Sequence, residues 1–291
     1  MTARFHAPGK VVVLGEYAVI DGAPALVAAV PWGVGCTWTP GPTRRSEAPV
    51  DTRFVDTALA DADAPTGLWS FYDDPPLDLP SKPGLGGSAA ATAVATFAAL
   101  TARGAAPTAA ETFHRADAVH RRVQGSGSGI DVAASCFGGV LRFTRGATPT
   151  PTPPVPLVVV FSGQSARTGP RVAQYQEWAG RDAFLAESAV LVDRFHADPP
   201  AALRDGRRLL GAMADAAGIA WRTDALDLLC DLAERHGGGA KPSGAGGGDC
   251  AIAAFPDPDR ATAYQRAVAD LGFVVLSSDV SPGVRELTTP R

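Results

Sequence analysis

Three short stretches of the chain are dense in glycine, and they limit what it can fold into more than anything else in it. They are APGKVVVLGEYAVIDGAPAL (residues 7–26), KPGLGGSAAAT (82–92) and HGGGAKPSGAGGGDC (236–250). Glycine gives up more chain entropy on folding than any other residue. Clusters of it persist where backbone must turn left-handed or lie bare against something else. The first stretch, by itself, reads as strands over 10–38 (KVVVLG, YAVID, PALVAAV) with Asp21-Gly22 as a hairpin turn. The second stands directly before an alanine-rich helix over 88–103, where unpaired N–H groups and the positive dipole end favour a phosphate. The third is too costly in entropy for a mere spacer, so backbone beside an anionic ligand accounts for it better.

Other elements follow from pattern. LWSFY (68–72) reads as a strand, with short strands and a loop over the rest of 39–83. A helix covers 108–123, with Thr108 as N-cap and Glu111 completing a capping box, and a short helix covers 130–136 after the GSGSG loop (125–129). GGVLRF (138–143) and LVVVF (157–161) are strands. ATPTPTPPVP (147–156) reads as a linker without regular structure, and the domain boundary is placed beside it, giving units 1–155 and 156–291. Helices are expected over 170–197, 200–217, 223–236 and 258–271, and strands over 251–255 and 273–280.

Composition excludes several classes. Net charge is −4, which disfavours binding to nucleic acid. No apolar run reaches membrane-spanning length, and MTARFHAPGK lacks the design of a signal peptide. Cys36, Cys136, Cys230 and Cys250 lie far apart, without metal-ligand spacing. They fit small buried residues in a reduced, cytoplasmic protein. Although GLGGSA satisfies G-x-G-x-x-[GA], the preceding LDLPSKP is no buried strand and no parallel βαβ unit follows, so a dinucleotide site is rejected; a Walker A sequence is absent. The 26 basic residues include only three lysines, Lys10, Lys82 and Lys241, one in each glycine segment.

In order and spacing the three segments resemble the motifs of the GHMP small-molecule kinases, a resemblance that spans residues 7–287. Within that family, APGKVVVLGEYAV, QGSGSGIDVAASCFGG, SGQSARTG, KPSGAGGGDC and the closing GFVVL…GVR are most similar to the phosphomevalonate kinases. The resemblance implies a two-domain α+β fold: an N-terminal β/α domain like domain 2 of ribosomal protein S5, and a ferredoxin-like C-terminal α+β domain. It implies ATP and Mg²⁺ as cofactors and phosphoryl transfer to the phosphate of 5-phosphomevalonate, by a monomer or homodimer with small-molecule partners only. Related alternatives are a hydroxyl acceptor, such as mevalonate or homoserine, or diphosphomevalonate decarboxylation.

The implied roles fall residue by residue. Asp131 matches the catalytic aspartate, and Lys10 the lysine near it; read without the motif, Asp131 is the N-cap of the 130–136 helix. Lys82, Gly84, Leu85, Gly86, Gly87, Ser88 and Ala89 would contact the triphosphate, with Ser88 also the metal ligand. Ser128, Gly129, Arg167, Ser243, Gly244, Ala245 and Gly246 would border the acceptor. Two positions depart from the family. Gly87 stands where a serine is usual. His120 stands where mevalonate kinases place a magnesium-binding glutamate, eleven residues before the aspartate, and imidazole is a poor ligand for that hard cation. Cations for an acceptor phosphate are sought among Arg121, Arg122, Arg142, Arg167, Arg171 and Lys241, with Arg167 first. Trp69 and Phe71 are read as core rather than as base-stacking rings.

Overall fold

The computed structural model describes residues 2–48, 51–76, 78–125, 127–277 and 279–287. The chain opens with β1 (Ala3–Leu14) and β2 (Ala25–Pro40), which pair antiparallel along most of their length. Next come β3 (Arg44–Glu47), α1 (Thr52–Asp61) and β4 (Gly67–Asp74). Helices α2 (Gly87–Ala102), α3 (Ala109–Gln124) and α4 (Ile130–Phe137) follow, then β5 (Val140–Phe143) and β6 (Thr150–Thr152). The second half runs β7 (Val158–Phe161), α5 (Thr168–Glu177), α6 (Arg181–Arg194), α7 (Pro199–Ala217) and α8 (Asp224–Arg235). It continues β8 (Gly239–Pro242), β9 (Cys250–Ala254), α9 (Pro258–Asp270), β10 (Val274–Ser277) and β11 (Arg285–Glu286).

Two sheets result. The larger runs β11-β1-β2-β4-β3, with β5 joined to β2 and β6 to β5. The smaller is antiparallel in the order β10-β7-β9-β8. That is the interleaved 4-1-3-2 order of a split βαβ, ferredoxin-like unit. The architecture is the α+β arrangement expected. Strand β11 belongs to the first sheet although it closes the chain: Phe5 pairs with Glu286 and His6 with Arg285.

Helix α2 explains how the first layer packs. SAAATAVATFAAL has no polar face to spare, and Ala89–Thr96 are all buried, along with Ala98–Leu100. Small side chains let α1, α3, α4 and the sheet close around it on every side. Thr92 and Thr101 return their hydroxyls to the carbonyls one turn back, Ser88 and Phe97. Trp69 and Phe71 lie in this core, as read from the sequence.

Several local expectations need correction. YAVID is not a strand. Ala18–Asp21 is a single 3-10 turn closed by Gly22 at φ 89°, and it buries Tyr17, Ala18 and Val19 together. Strand β1 begins at Ala3, not Lys10. Strand β3 is one of the short strands expected over 39–83, but helix α1 arises there too, with the Asp51 side chain capping it through the Arg53 N–H. Thr150–Thr152 is a strand despite its prolines, because it pairs only at the sheet edge, where a missing N–H costs little. The expected 170–197 helix breaks at Trp178–Gly180 into α5 and α6. Gly239–Pro242, read as loop, is β8. The GSGSG loop and the 273–280 strand each include one position, 126 and 278, outside the described residues.

His6 is buried between the carbonyl of Asp74 and the Arg285 guanidinium, at 3.4 and 3.3 Å from its two ring nitrogens. Burial first, then Arg285, holds its pKa below the usual 6.5. The unfolded chain therefore takes up this proton before the folded one does, and stability is lost as pH falls below about 6.5. The urea midpoint should decline from pH 7 to pH 5, and His6→Gln should make that decline shallower.

Candidate active site

Lys10 occupies the centre of the site. Its position on β1 aims the side chain across Gly86, where an added Cβ would stand 3.1 Å from the lysine Cγ and Cε. The ammonium ends 3.3 Å from the Gly84 carbonyl and 3.6 Å from Asp131 Oδ1, and the residue is only 8% exposed. Its backbone N–H donates to Leu85 O at 2.9 Å. Glycine at 86 is therefore required twice, by its φ of 77° and by the lysine lying on it.

Asp131 is not an N-cap. Gly129, at φ 89°, holds that place, and Asp131 sits in the first turn of α4 facing Lys10. Ser128 is buried, and its hydroxyl accepts from the Ile130 N–H, which starts the helix.

The loop ahead of α2 has the left-handed backbone its glycines suggest. Gly86 is the N-cap of α2, in the left-handed region, and no side chain caps the helix. The N–H groups of Gly87, Ser88 and Ala89 are thus left for another acceptor. A cavity of about 460 Å³ opens from this loop. Gly84–Ser88 and Lys82 line it together with Trp32, Phe54, Leu79 and Asp73. Its size and its mix of backbone amides with aromatic rings suit a nucleotide.

Ser88 Oγ lies 3.2 Å from His120 Nε2. Burial holds the His120 pKa down, against Asp131 and Asp117, which pull it up. A neutral imidazole faces the hydroxyl, and no group of three His, Cys, Asp or Glu able to hold a metal occurs among the described residues. The donor set therefore fits a hard cation carried on nucleotide oxygens and met by Ser88, not one held by a carboxylate cage. The four cysteines are free and buried, and burial pushes each thiol up, so none is a nucleophile here.

The third segment packs against the first. Lys241 is fully buried and ion-paired to Glu16. This removes it from the cations sought for an acceptor phosphate. Its stem passes Gly206 of α7, where a Cβ would lie 3.3 Å from it. Ser243 Oγ accepts from Val12 N at 2.9 Å and donates to Val12 O at 3.1 Å, so the hydroxyl is spent on β1 and not free for a substrate. Tyr17 donates to Ala245 O at 2.7 Å. Gly244 is left open, with its N–H 3.4 Å from Glu16 Oε1, while Gly246 lies flat against the Trp221 ring.

Of the other candidate cations, Arg121, Arg122 and Arg142 are paired with Asp117, Asp61 and Asp193. Arg167 is the exposed N-cap position of α5. Arg171, one turn on, bonds only carbonyls, Ala220 O at 2.9 Å and Arg167 O at 2.7 Å, and leans on Gly247. Lys82 is exposed at the cavity wall. Sequence reasoning missed Asp249. It directly follows the glycine run and has φ 61°, a rare conformation for a residue with a side chain.

An uncapped helix start beside a buried lysine and a half-buried aspartate is an arrangement suited to phosphoryl transfer. Comparison with known proteins makes this specific. Residues 77–139 match the GHMP kinases N terminal domain and residues 202–272 the GHMP kinases C terminal. A phosphomevalonate kinase of Streptomyces sp. (strain CL190) is 30% identical, over 85% of this chain and 88% of that one. A mevalonate kinase of Thermococcus sibiricus is 26% identical, over 98% of each. Among solved structures, a Lin0012 protein from Listeria innocua superposes with a TM-score of 0.88, covering 99% of this chain and 100% of that one at 24% identity. The Streptococcus pneumoniae phosphomevalonate kinase in complex with phosphomevalonate and AMPPNP gives 0.79 at 18% identity, covering 99% and 100%. The chain belongs to the GHMP kinases, and it is a kinase of α+β fold.

The Glu16–Lys241 pair carries a stability prediction. Lys241→Met leaves a buried carboxylate without its counter-charge and should cost about 3–5 kcal/mol in urea unfolding. Adding Glu16→Met to that variant should return most of the loss, since two apolar side chains replace the pair without a stranded charge.

Proposed function

We propose that this kinase transfers the γ-phosphoryl group of ATP to the phosphate of 5-phosphomevalonate, giving 5-diphosphomevalonate and ADP in the mevalonate route to isoprenoids. The observation that carries the choice of acceptor is the cation census around the acceptor loop. Arg167 and Arg171, at the start of α5, are the two candidate cations there without a carboxylate bridge among the described residues. Guanidinium forks suit a phosphate monoester. Residues 1–155 would chiefly carry the nucleotide and 156–291 the acceptor loop, with β11 returning to the first sheet. Free, buried cysteines support a cytoplasmic setting.

In this reading an oxygen of the acceptor phosphate attacks the γ-phosphorus, and the bond to the β-bridging oxygen breaks as ADP leaves. The acceptor's second pKa is near 6, so at neutral pH it needs little help losing a proton. The barrier lies in bringing two anions together, and positive charge fixed between them lowers it. Lys10 supplies that charge between attacking and transferred groups, and Asp131 orients it. The amides of Gly87–Ala89 and Lys82 hold the triphosphate. Mg²⁺ would reach Ser88 and neutralise charge on the phosphate oxygens.

A second reading, with the mevalonate hydroxyl as acceptor, is favoured by the many relatives named mevalonate kinase. There Asp131 would act as base. An acceptor panel with ATP separates the two: ADP release with 5-phosphomevalonate alone, and no CO₂, supports the first, whereas release with mevalonate overturns it.

The roles within the site are tested by mutation. Lys10→Met should lower kcat at least as much as Asp131→Asn; a large loss confined to Asp131→Asn would contradict the bridging lysine. Arg171→Ala and Arg167→Ala should each raise the acceptor KM about tenfold or more while leaving the ATP KM within twofold, as measured by initial rates.

A further inference from the structure

Asp249 is the residue the function leaves unexplained. It ends the glycine run of the third segment, and its φ of 61° lies in the left-handed region that glycine, Asn and Asp adopt more readily than other residues. Three loops meet on it. Its backbone N–H donates to Gln164 O at 2.8 Å, and its carbonyl accepts from the Ser162 N–H at 2.9 Å. Its Oδ1 accepts from the Ala166 N–H at 2.9 Å. The whole SGQSA turn ahead of Arg167 is therefore hung on this one residue. The other carboxylate oxygen faces the phosphate loop: a Cβ placed on Gly84 would lie 2.2 Å from Oδ2. Two neighbouring contacts tie the same loops together, Ser165 Oγ to the Lys82 carbonyl and Cys250 Sγ to the Pro83 carbonyl, the latter at 3.2 Å. Burial pushes the Asp249 carboxyl up, while the Ala166 N–H, Lys10 and Arg171 pull it down, so it sits among the charges of the site.

We propose that Asp249 is a positioning residue: it fixes the spacing between the loop that carries the nucleotide phosphates and the loop that presents Arg167 and Arg171 to the acceptor. The inference rests on the kinase reading above and deepens it. Each loop contains glycine, and neither is held in a sheet where it faces the other. In-line transfer requires donor and acceptor set within a fraction of an ångström, and a misplacement of about 1 Å costs on the order of a hundredfold in rate. Asp249 reaches both loops through one short side chain, Oδ1 on the Ala166 N–H and Oδ2 against Gly84, so it sets their separation. Glycine at 84 is what lets it come so close.

The test is steady-state kinetics on the full chain with ATP and, separately, 5-phosphomevalonate and mevalonate, alongside the thermal midpoint. Asp249→Ala should lower kcat about a hundredfold and leave both KM values within about threefold, because each substrate still has its own loop. Asp249→Asn keeps the acceptor for the Ala166 N–H and tolerates positive φ, so it should restore kcat to within about tenfold of the parent. Ser165→Ala, which removes only the neighbouring tie, should give a smaller loss of kcat in the same direction, and it decides the matter should Asp249→Ala fail to fold. Unchanged kcat in Asp249→Ala, a loss confined to KM, or an Asn variant as poor as the Ala variant overturns the inference. If the parent turns over neither acceptor, the mevalonate-route reading itself fails and takes this inference with it. Turnover of mevalonate alone overturns the acceptor assignment and leaves Asp249 to be judged by the same kcat ratios.

Discussion

Burial of one ammonium group organises this protein. Lys10 comes off the middle of the longest hairpin and is nearly enclosed, so its charge must be answered on the spot. The Gly84 carbonyl and the Asp131 carboxylate answer it from two separate segments. For that to happen the phosphate loop must lie on the lysine stem, which only a glycine at 86 permits. The site is thus built from contacts between segments that have no local reason to meet.

The third segment is placed by a different device. Glu16 and Lys241, Ser243 and Val12, and Tyr17 and Ala245 clamp it to the first hairpin. The Glu16–Lys241 pair is deep and dry, and as such is weak evidence for stability on its own. Its value is geometric. It pins the start of a glycine run whose far end, at Asp249, faces the phosphate loop. The first segment thereby reaches the second through Lys10 and the third through Glu16, six residues further on.

The two sheets divide the work. The first, with the all-buried α2 behind it, gives a rigid base for the uncapped helix start. The smaller sheet offers the loops after β7 and before β9, and these carry Arg167, Arg171 and Asp249. Strand β11 crosses back to pair with β1, so the end of the chain also fastens to the sheet that bears Lys10.

By itself the sequence determined the start of α3, where Thr108 is the cap, and the buried strand LVVVF, because these signals are local. Through glycine density and resemblance it also marked Lys10, the 84–89 loop and Asp131 as one constellation. It could not determine which way the ambiguous stretches fold. YAVID became a 3-10 turn because Tyr17 is claimed by Ala245, more than two hundred residues away. The threonine–proline stretch became an edge strand because β5 was there to pair with it. Glycine density alone did not separate one lysine from another. Lys10 beside Asp131, Lys82 at the cavity wall and Lys241 locked to Glu16 carry the same side chain among similar glycines. Their difference lies in which distant carboxylate or carbonyl the fold brings to each, and that is a property of tertiary packing alone.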